Sequence, residues 1–224
     1  MDLTSYLMGK KAGGGGGTGG LDWSVIGFES TPQAIVDGYN YAKSIKDNWV
    51  VKTNYGEDFQ YDKKLLIFPV VDLSSATTMS EIFNGDENLI EVGDMNTSNA
   101  VGFTDAFYGC TSLTTVGMLD CSSVRYTMTT TFQNSQYLTN LKGFKDLGKA
   151  FETTWAANRI VLNLSASDKI THESLMNVIN SVYDIKAKGL TNNQKIKVSS
   201  TALALLSAEE IAMADAKGWT IATS

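Results

Sequence analysis

The side chains with the most reactive chemistry in this sequence are one histidine and two cysteines. His172 stands next to Glu173 at the predicted start of a helix, and no nucleophile is marked beside it as a serine or cysteine relay requires. Cys110 and Cys121 form no CxxC motif, and a single histidine cannot complete a zinc site with them. We therefore expect a solvated histidine and two reduced, packed thiols, with no metal and no cofactor.

The glycine-rich run at 13–20 contains the spacing GxGxxG at Gly14, Gly16 and Gly19. That spacing indicates a dinucleotide site only between a strand and a helix, and no predicted strand precedes the run. A phosphate-binding P-loop is excluded because no Gly-Lys-Ser/Thr follows. We interpret residues 13–20 as a flexible tether.

Two pairs of adjacent carboxylates, Glu57-Asp58 and Asp86-Glu87, have the side chains that glycoside hydrolysis or calcium binding requires. Both pairs stand in polar connections. Adjacent acids in a strand or loop tend to diverge, because successive side chains leave the backbone in different directions. Solvated turns are therefore expected at both pairs, and the sequence favours a protein without enzymatic activity.

Aromatic side chains could line a face that binds a sugar or a protein. Those in question are Tyr55, Phe59, Tyr61, Phe103, Tyr108, Tyr126 and Tyr137. Most aromatics that recur in register should belong to the core. Tyr108 and Tyr137 are the pair that we expect to be exposed.

Composition and charge limit the classes of function. With 224 residues and 43% hydrophobic content, the chain can form a real core. The net charge of -6 is spread without a basic block, which disfavours nucleic-acid binding. No apolar stretch approaches the roughly 18 residues of a membrane-spanning helix, so membrane insertion is not expected. The start lacks a secretory signal, and a chain that begins there is expected to be assembled in a cytoplasm.

The most informative feature is a repeat that begins at Leu65. Units of 24 residues at 65–88 and 89–112 precede a unit of 25 residues at 113–137, and a fourth begins at 138–144 before degenerating. The opening leucines are Leu65, Leu89, Leu113 and Leu138. The apolar residues three positions later are Phe68, Val92, Val116 and Leu141.

Later positions of the units repeat as well. Seven residues after the opening leucine stand Asp72, Asn96 and Asp120, and two residues further stand Ser74, Ser98 and Ser122. Each unit closes with an apolar pair: Met79 and Phe83, Phe103 and Phe107, Met128 and Phe132. Such columns are typical of solenoid coils, where apolar residues point inward and Asx or Ser side chains satisfy backbone groups at the corners.

A coil cannot bury both of its faces, so flanking caps are expected. Pro32 after Thr31, with apolar residues at helical spacing, predicts a helix over 31–49. A loop that can include a short strand is expected at 49–61. The C-terminal pattern predicts a strand, helix, strand, helix and strand at 160–164, 171–185, 195–199, 207–217 and 219–222.

The last predicted helix has explicit end signals. Ser207 and Glu210 form a capping box, and Gly218 is placed to end the helix. The expected fold class is α/β, a right-handed leucine-rich-repeat-like solenoid with an N-terminal helical cap and a βαβαβ C-terminal cap. The predicted divisions are an anchoring peptide and tether at 1–20, an N-terminal cap at 21–64, repeats at 65–151 and capping βα units at 152–224.

The run TSNAVGFTDAFYGCTSLTTV at 97–116, with the units on either side, resembles the repeat of BspA-like leucine-rich-repeat proteins. That family's unit has a D-x-S-x-V corner, an M-x-x-M-F helix and a C-x-x-L return. Matching positions are Asp72, Ser74, Met79, Ile82 and Phe83, then Ser98, Phe107, Cys110 and Leu113, then Asp120, Ser122, Val124, Phe132 and Leu138. The third unit departs from the pattern by one extra residue and by lacking the cysteine. The resemblance implies a short helix in each coil.

Both ends of the chain are similar to phage proteins. The segment 165–222 looks like the closing region of such repeat proteins when phages encode them, and MDLTSYLMGKKAGGGGG is similar to the leaders of tail and fibre proteins. These resemblances imply a bacteriophage virion structural protein, as a fibre, tail or capsid-decoration component. The residues expected to dock into another virion protein are Leu3, Tyr6, Leu7 and Met8. The repeats would then contact a protein, or a host cell-surface protein or glycan.

Two other functions stay open. The chain could be a bacterial adhesin of the same repeat family that binds a host or matrix protein, which a signal peptide ahead of this sequence would indicate. It could also be a polysaccharide-degrading tail protein, which turnover of capsular glycan would establish. The sequence does not determine the place in the virion, the receptor or the oligomeric state, and a homo-oligomer is one of the options.

Overall fold

The computed structural model describes residues 32–152, 160–190 and 194–223. Helix α1 spans Pro32–Asp47. Six two-residue strands follow: β1 (Ile67–Phe68), β2 (Glu91–Val92), β3 (Thr115–Val116), β4 (Leu119–Asp120), β5 (Asn140–Leu141) and β6 (Phe144–Lys145). A 3-10 turn at Lys149–Glu152 ends this region. The predicted leader, with Leu3, Tyr6, Leu7 and Met8, and the glycine tether lie outside the described residues.

The C-terminal region alternates strands and helices. Its elements are β7 (Val161–Asn163), α2 (His172–Ser181), β8 (Gln194–Val198), α3 (Ser200–Leu203), α4 (Ala208–Ala216) and β9 (Trp219–Thr223). A 3-10 turn at Lys186–Lys188 follows α2. The predicted strand and helix order is present, and the one-turn helix α3 was not predicted. Together with the parallel pairing of every named strand, these elements confirm the α/β class.

The parallel strands of the central region keep a constant spacing along the chain. One sheet has the order β1-β2-β3-β5, and β4 pairs with β6 in a second sheet. Ile67 pairs with Glu91 and Glu91 with Thr115, both 24 residues apart, and Thr115 pairs with Asn140 after 25. The spacing of the pairs therefore equals the lengths of the sequence units.

The side chains of these units form continuous apolar columns. The opening leucines Leu65, Leu89, Leu113 and Leu138 are completely buried. A second set, here called the phenylalanine column, consists of Phe59, Phe83, Phe107 and Phe132. Successive rings of this column are stacked, with centroids 6.1, 5.3 and 5.1 Å apart. Offset stacking of this kind adds to the free energy gained from burial.

The segment predicted as a loop at 49–61 has no regular strand, yet it lies in register with the repeats. Thr77 N donates to Thr53 O at 2.7 Å, and Asn54 bridges to Thr78. Phe59 extends the phenylalanine column by one position. The stacking therefore starts before Leu65, the residue at which the sequence repeat was predicted to begin.

The family resemblance implies a short helix in each unit, and this prediction is wrong. Residues 80–85, 104–109 and 131–134 form turns. Alternate backbone N–H groups from 79 to 85 donate to carbonyls of the next unit, at 102 to 108, over 2.8–3.1 Å. Glu81 has a φ of 62°, in the left-handed region. Backbone groups that bond to a neighbouring unit in this way cannot form the bonds between residues i and i−4 that an α-helix needs.

The corners of the units confirm the expected Asx–Ser chemistry. Asp72 Oδ1 accepts hydrogen bonds from Ser74 N at 2.9 Å and from Ser74 Oγ at 2.6 Å. The same two bonds join Asp120 to Ser122 and Asn163 to Ser165. Asn163 lies after the predicted units, so this corner also occurs in the C-terminal region. These side chains replace backbone partners where the chain turns.

The main chains of β5 and β6, the last strands of the central region, are hydrogen-bonded by polar side chains of α2. Ser174 Oγ accepts from Leu141 N at 3.0 Å, and Asn177 Nδ2 donates to Leu141 O at 3.0 Å. Ser181 Oγ accepts from Phe144 N at 2.9 Å. The three positions lie on one face of a helix. Backbone groups that a further strand would otherwise pair are satisfied here by a helix.

The ends of the C-terminal helices are fixed by specific contacts. The predicted capping box of Ser207 and Glu210 is confirmed, and Gly218 has a φ of 89°. Helix α2 ends at Ser181, four residues before the predicted end. Lys217 Nζ donates to the carbonyls of Ile179 and Asn180, both at 2.8 Å, so a cation satisfies the free carbonyls of this terminus.

Replacement of the central ring of the phenylalanine column should be strongly destabilising. Phe107 is completely buried between Phe83 and Phe132. We expect Phe107→Ala to lower the free energy of unfolding by about 3–5 kcal/mol, because it removes apolar contacts and leaves a cavity. Urea-induced unfolding followed by circular dichroism measures this loss.

Tyr126, with 57% of its surface exposed, supplies the matched control. Tyr126→Ala should cost less than about 1 kcal/mol. Similar losses for the two variants would mean that the phenylalanine column does not stabilise the fold.

Candidate functional site

A recess lies at the N-terminal end of the repeats. The C-terminal half of α1 and the segment up to Phe59 enclose a volume of about 300 Å³. Aromatic residues Trp49, Tyr55 and Phe59 line it together with polar residues of α1 and of the segment that follows it. The recess therefore combines apolar rings with hydrogen-bonding groups, a combination common to binding pockets.

The aromatic part of the recess is held in place by stacking and hydrogen bonds. The Trp49 ring is nearly parallel to Tyr55, at 5.0 Å, and to Phe59, at 6.4 Å. Trp49 Nε1 donates to Asp72 O at 2.8 Å, and Lys52 N donates to the Tyr55 hydroxyl at 2.7 Å. A wall fixed in this way loses little conformational entropy when it is contacted.

The polar part of the recess consists of an ion pair, Ser44 of α1 and Asn48, which directly follows α1. Lys52 Nζ lies 2.7 Å from Asp58 Oδ2, and both groups are partly exposed. Ser44 and Asn48 face the same space. The lining residues include no histidine, cysteine or glutamate. This arrangement can bind a partner through ring contacts and hydrogen bonds.

Tyr108 and Tyr137, expected at the surface, are both half-buried. The ammonium of Lys169 lies 4.2 Å from the centroid of the Tyr137 ring, which is a cation–π geometry. Tyr61 and Tyr126 are more exposed, at 63% and 57%. No ring contact joins Tyr108 to Tyr137 in the described part of the chain.

The reactive side chains of the sequence do not converge. Cys110 and Cys121 are free and buried, and burial raises the pKa of both thiols well above the usual value. His172 begins α2, and its Nε2 lies 2.8 Å from Glu210 Oε1 on α4. The packed thiols and the first-turn histidine agree with the sequence analysis. Glu210 itself is held by the capping box, so the pair links two helices.

The carboxylate pairs divide into exposed and buried members. Glu57, Asp58 and Glu87 are exposed, as expected for solvated turns. The expectation is wrong for Asp86, which is completely buried. Its Oδ1 accepts from Asp62 N at 2.6 Å, and its Oδ2 has no hydrogen-bond partner among the described residues.

The repeat explains why a polar residue occupies the position of Asp86. The equivalent residues of the next units, Cys110 and Ser135, donate to the carbonyls of Phe83 and Phe107, at 3.1 and 2.7 Å. Burial raises the pKa of Asp86 to about 8. Asp86 is therefore mostly protonated at neutral pH, and only this form has a proton to donate as the thiol and hydroxyl do.

Comparisons with known proteins give no match to any family model, to any curated protein or to any solved structure. Within 32–152, 160–190 and 194–223, the side chains form no group of three or more potential metal ligands. In the same ranges no helix has the length and apolar character needed to span a membrane.

Replacement of Asp86 should change how stability depends on pH. In the folded state Asp86 keeps its proton up to about pH 8, whereas in the unfolded state the carboxyl loses its proton near its usual pKa of 3.8. Below pH 3.8 both states hold the proton, so ionisation of Asp86 does not destabilise the fold there. Between the two pKa values the free energy of unfolding falls by up to about 1.4 kcal/mol per pH unit. Asp86→Asn should be more stable than the wild type near pH 8, by about 2 kcal/mol or more.

The measurement is urea unfolding of both proteins between pH 5 and pH 9, and their difference isolates Asp86 from the other carboxyl groups. Glu87→Gln, at the exposed neighbour, is the control and should follow the wild type. A constant difference between wild type and Asp86→Asn at all pH values would show that Asp86 ionises normally.

Proposed function

We propose that the chain is a bacteriophage virion structural protein whose repeats form a short leucine-rich-repeat-like solenoid for protein–protein contact or host-surface adhesion. The observation that supports it most is the register between sequence and structure. Strand partners recur after 24 or 25 residues, and the phenylalanine column follows the same spacing. Contact modules made of repeats offer extended surfaces of this kind.

The two ends of the repeats have the features that capping of a solenoid requires. Helix α1 packs beside β1, where a Cβ atom on Gly38 would lie 2.3 Å from Leu66 Cδ1. Helix α2 satisfies backbone groups of β5 and β6 through its polar side chains. We infer that α1 and the C-terminal βα units act as caps, which repeat arrays need for solubility.

The surface of the described residues supports contact rather than catalysis. The recess beside Trp49 is lined by rings and hydrogen-bonding groups, and Tyr61 and Tyr126 are exposed. Tyrosine and tryptophan are enriched where proteins bind partners. The alternative of a polysaccharide-degrading protein gains no support from the pair Asp86-Glu87, because Asp86 is buried while Glu87 faces solvent.

The virion setting rests on the resemblance of the leader and the closing region to phage proteins. In this proposal Leu3, Tyr6, Leu7 and Met8 attach the chain to another virion protein, and the glycine run separates that attachment from the repeats. A bacterial adhesin of the same repeat family would share the contact function. It would differ in reaching the cell surface by secretion.

Removal of residues 1–12 tests the virion setting. The truncated chain should stay folded and soluble, because the removed residues precede the described fold, and it should no longer be incorporated into phage particles. Immunoblotting of purified particles, with electron microscopy of the neighbouring proteins, measures incorporation.

A variant with Leu3, Tyr6, Leu7 and Met8 replaced by serine should fail in the same way while keeping the length of the leader. The matched control replaces Lys10 and Lys11 by alanine and should be incorporated normally. Normal incorporation of the truncated chain would contradict the attachment role.

A further inference from the structure

The carbonyl oxygens of the phenylalanine column accept two hydrogen bonds each in the inner units. Phe83 O accepts from Asp86 N and from Cys110 Sγ, both at 3.1 Å. Phe107 O accepts from Cys110 N at 3.3 Å and from Ser135 Oγ at 2.7 Å. Each of these carbonyls therefore takes one backbone N–H from three residues further on and one side-chain donor from the next unit.

The first carbonyl of the column, Phe59 O, has the same backbone bond, from Asp62 N at 3.1 Å. The side chain that the repeat places beside it is that of Asp86, which follows Phe59 by 27 residues, as Cys110 follows Phe83. Asp86 is completely buried, and its Oδ2 is without a hydrogen-bond partner among the described residues. Only a protonated carboxyl can donate to a carbonyl oxygen, so this Oδ2 is suited to hold a proton.

The segment that contains Phe59, here called the first segment (49–62), is joined to the next unit by few backbone bonds. In the unit after it, the N–H groups of residues 79, 81, 83 and 85 all donate to the following unit, at 2.8–3.1 Å. Of the equivalent groups at 55, 57, 59 and 61, Tyr61 N is the one that donates in this way within the described residues, to Asn84 O at 2.9 Å. A side-chain bond from Asp86 therefore makes up a larger share of the contacts that hold the first segment.

We propose that Asp86 carries a proton on Oδ2 and donates it in a hydrogen bond to Phe59 O, and that loss of this proton releases the first segment from the repeats. Asp62 and Tyr41 extend the same network, because Asp62 N donates to Asp86 Oδ1 at 2.6 Å and the Tyr41 hydroxyl of α1 donates to Asp62 Oδ2. The first segment supplies the rings of the recess beside Trp49. Release separates these rings from α1, so the population of the intact recess falls as the pH rises.

The groups around Asp86 make its ionisation unfavourable while the first segment is attached. Burial raises the pKa of Asp86 to about 8, and the charge of Asp62 acts in the same direction. On α1, burial raises the pKa of the Tyr41 hydroxyl to about 12. On the next unit, burial raises the pKa of the Cys110 thiol well above its usual value. None of these three neighbours is a cation that could stabilise the carboxylate.

The released segment leaves Asp86 exposed to water, where the carboxyl ionises near its usual pKa of 3.8. Between that value and about 8, the attached state holds one more proton than the released state. The equilibrium constant for release therefore rises by up to about tenfold per pH unit over this range. It levels off at higher pH, where Asp86 is ionised in both states.

Hydrogen–deuterium exchange of the full chain, followed by mass spectrometry between about pH 5 and pH 8, tests the proposal. The reference is Asp86→Ser, which supplies the hydroxyl that Ser135 has at the equivalent position and does not titrate. The first segment has the same sequence in both proteins, so the intrinsic pH dependence of exchange cancels in the ratio of their rates. For peptides from 49–62, the rate of the wild type relative to Asp86→Ser should rise by up to about tenfold per pH unit.

Two further variants and an internal control complete the experiment. Peptides from 113–141 should keep a constant ratio of rates at all pH values. Asp86→Ala, which has neither a donor nor a titratable group, should exchange about fivefold faster than Asp86→Ser in 49–62 at every pH. Glu87→Gln, at the exposed neighbour, should follow the wild type.

A ratio that stays constant with pH in 49–62 would refute the proposal. The same rise in 113–141 would also refute it, because it would mean that the whole fold opens. Equal exchange of the alanine and serine variants would exclude the donor role of Asp86. If Asp86→Ala does not fold, the comparison of the wild type with Asp86→Ser still decides the outcome. The proposal does not depend on the virion setting, since residues 1–12 take no part in it.

Discussion

The structure depends on the stacking of successive units in one register. No unit of 24 residues can enclose its own apolar side chains, so Leu89 or Phe107 is buried only because equivalent residues lie on both sides. Backbone bonds between units impose the same register as the side chains. A shift of one residue would turn each column outward. The spacing is therefore kept even where the unit has turns instead of a helix.

At the two ends of the stack, backbone groups and apolar side chains have no further unit to pair with or to pack against. The structure meets this need with helices. Helix α1 lies against β1, and α2 supplies Ser174, Asn177 and Ser181 to the main chain of β5 and β6. The C-terminal sheet repeats the problem, because β9 is again an edge.

Much of the fold could be predicted from the sequence, since burial and corner chemistry recur in fixed positions. The unit lengths, the Asx–Ser corners and the Ser207 capping box follow from local patterns. The turns at Glu81 and at the equivalent positions could not be predicted from local patterns. They depend on a residue with left-handed backbone conformation and on hydrogen bonds to another unit. The unit containing Phe59 was missed, although Glu57-x-Phe59 repeats the spacing of Glu81-x-Phe83.

The candidate site was harder to predict than the fold. The recess forms between α1 and the first stacked segment, and no sequence motif marks such a junction. The burial of Asp86 could have been predicted from its column, because Cys110 and Ser135 occupy the same place in the next units. The neighbours of Asp86 in sequence alone predict a solvated acid. Its neighbours in the stacked units predict a buried position.

Stacking also determines where the surface can vary. Tyr61, Gly85, Gly109 and Asn134 are equivalent positions, and all four have a positive φ. A Cβ atom on Gly85 would lie 2.3 Å from the Tyr61 ring, so this tyrosine covers the glycine of the next unit. The backbone conformation is fixed at these positions while the side chain changes from none to a large ring. A scaffold with a constant interior and a variable exterior is suited to specific contact, because changes outside the columns leave the fold intact.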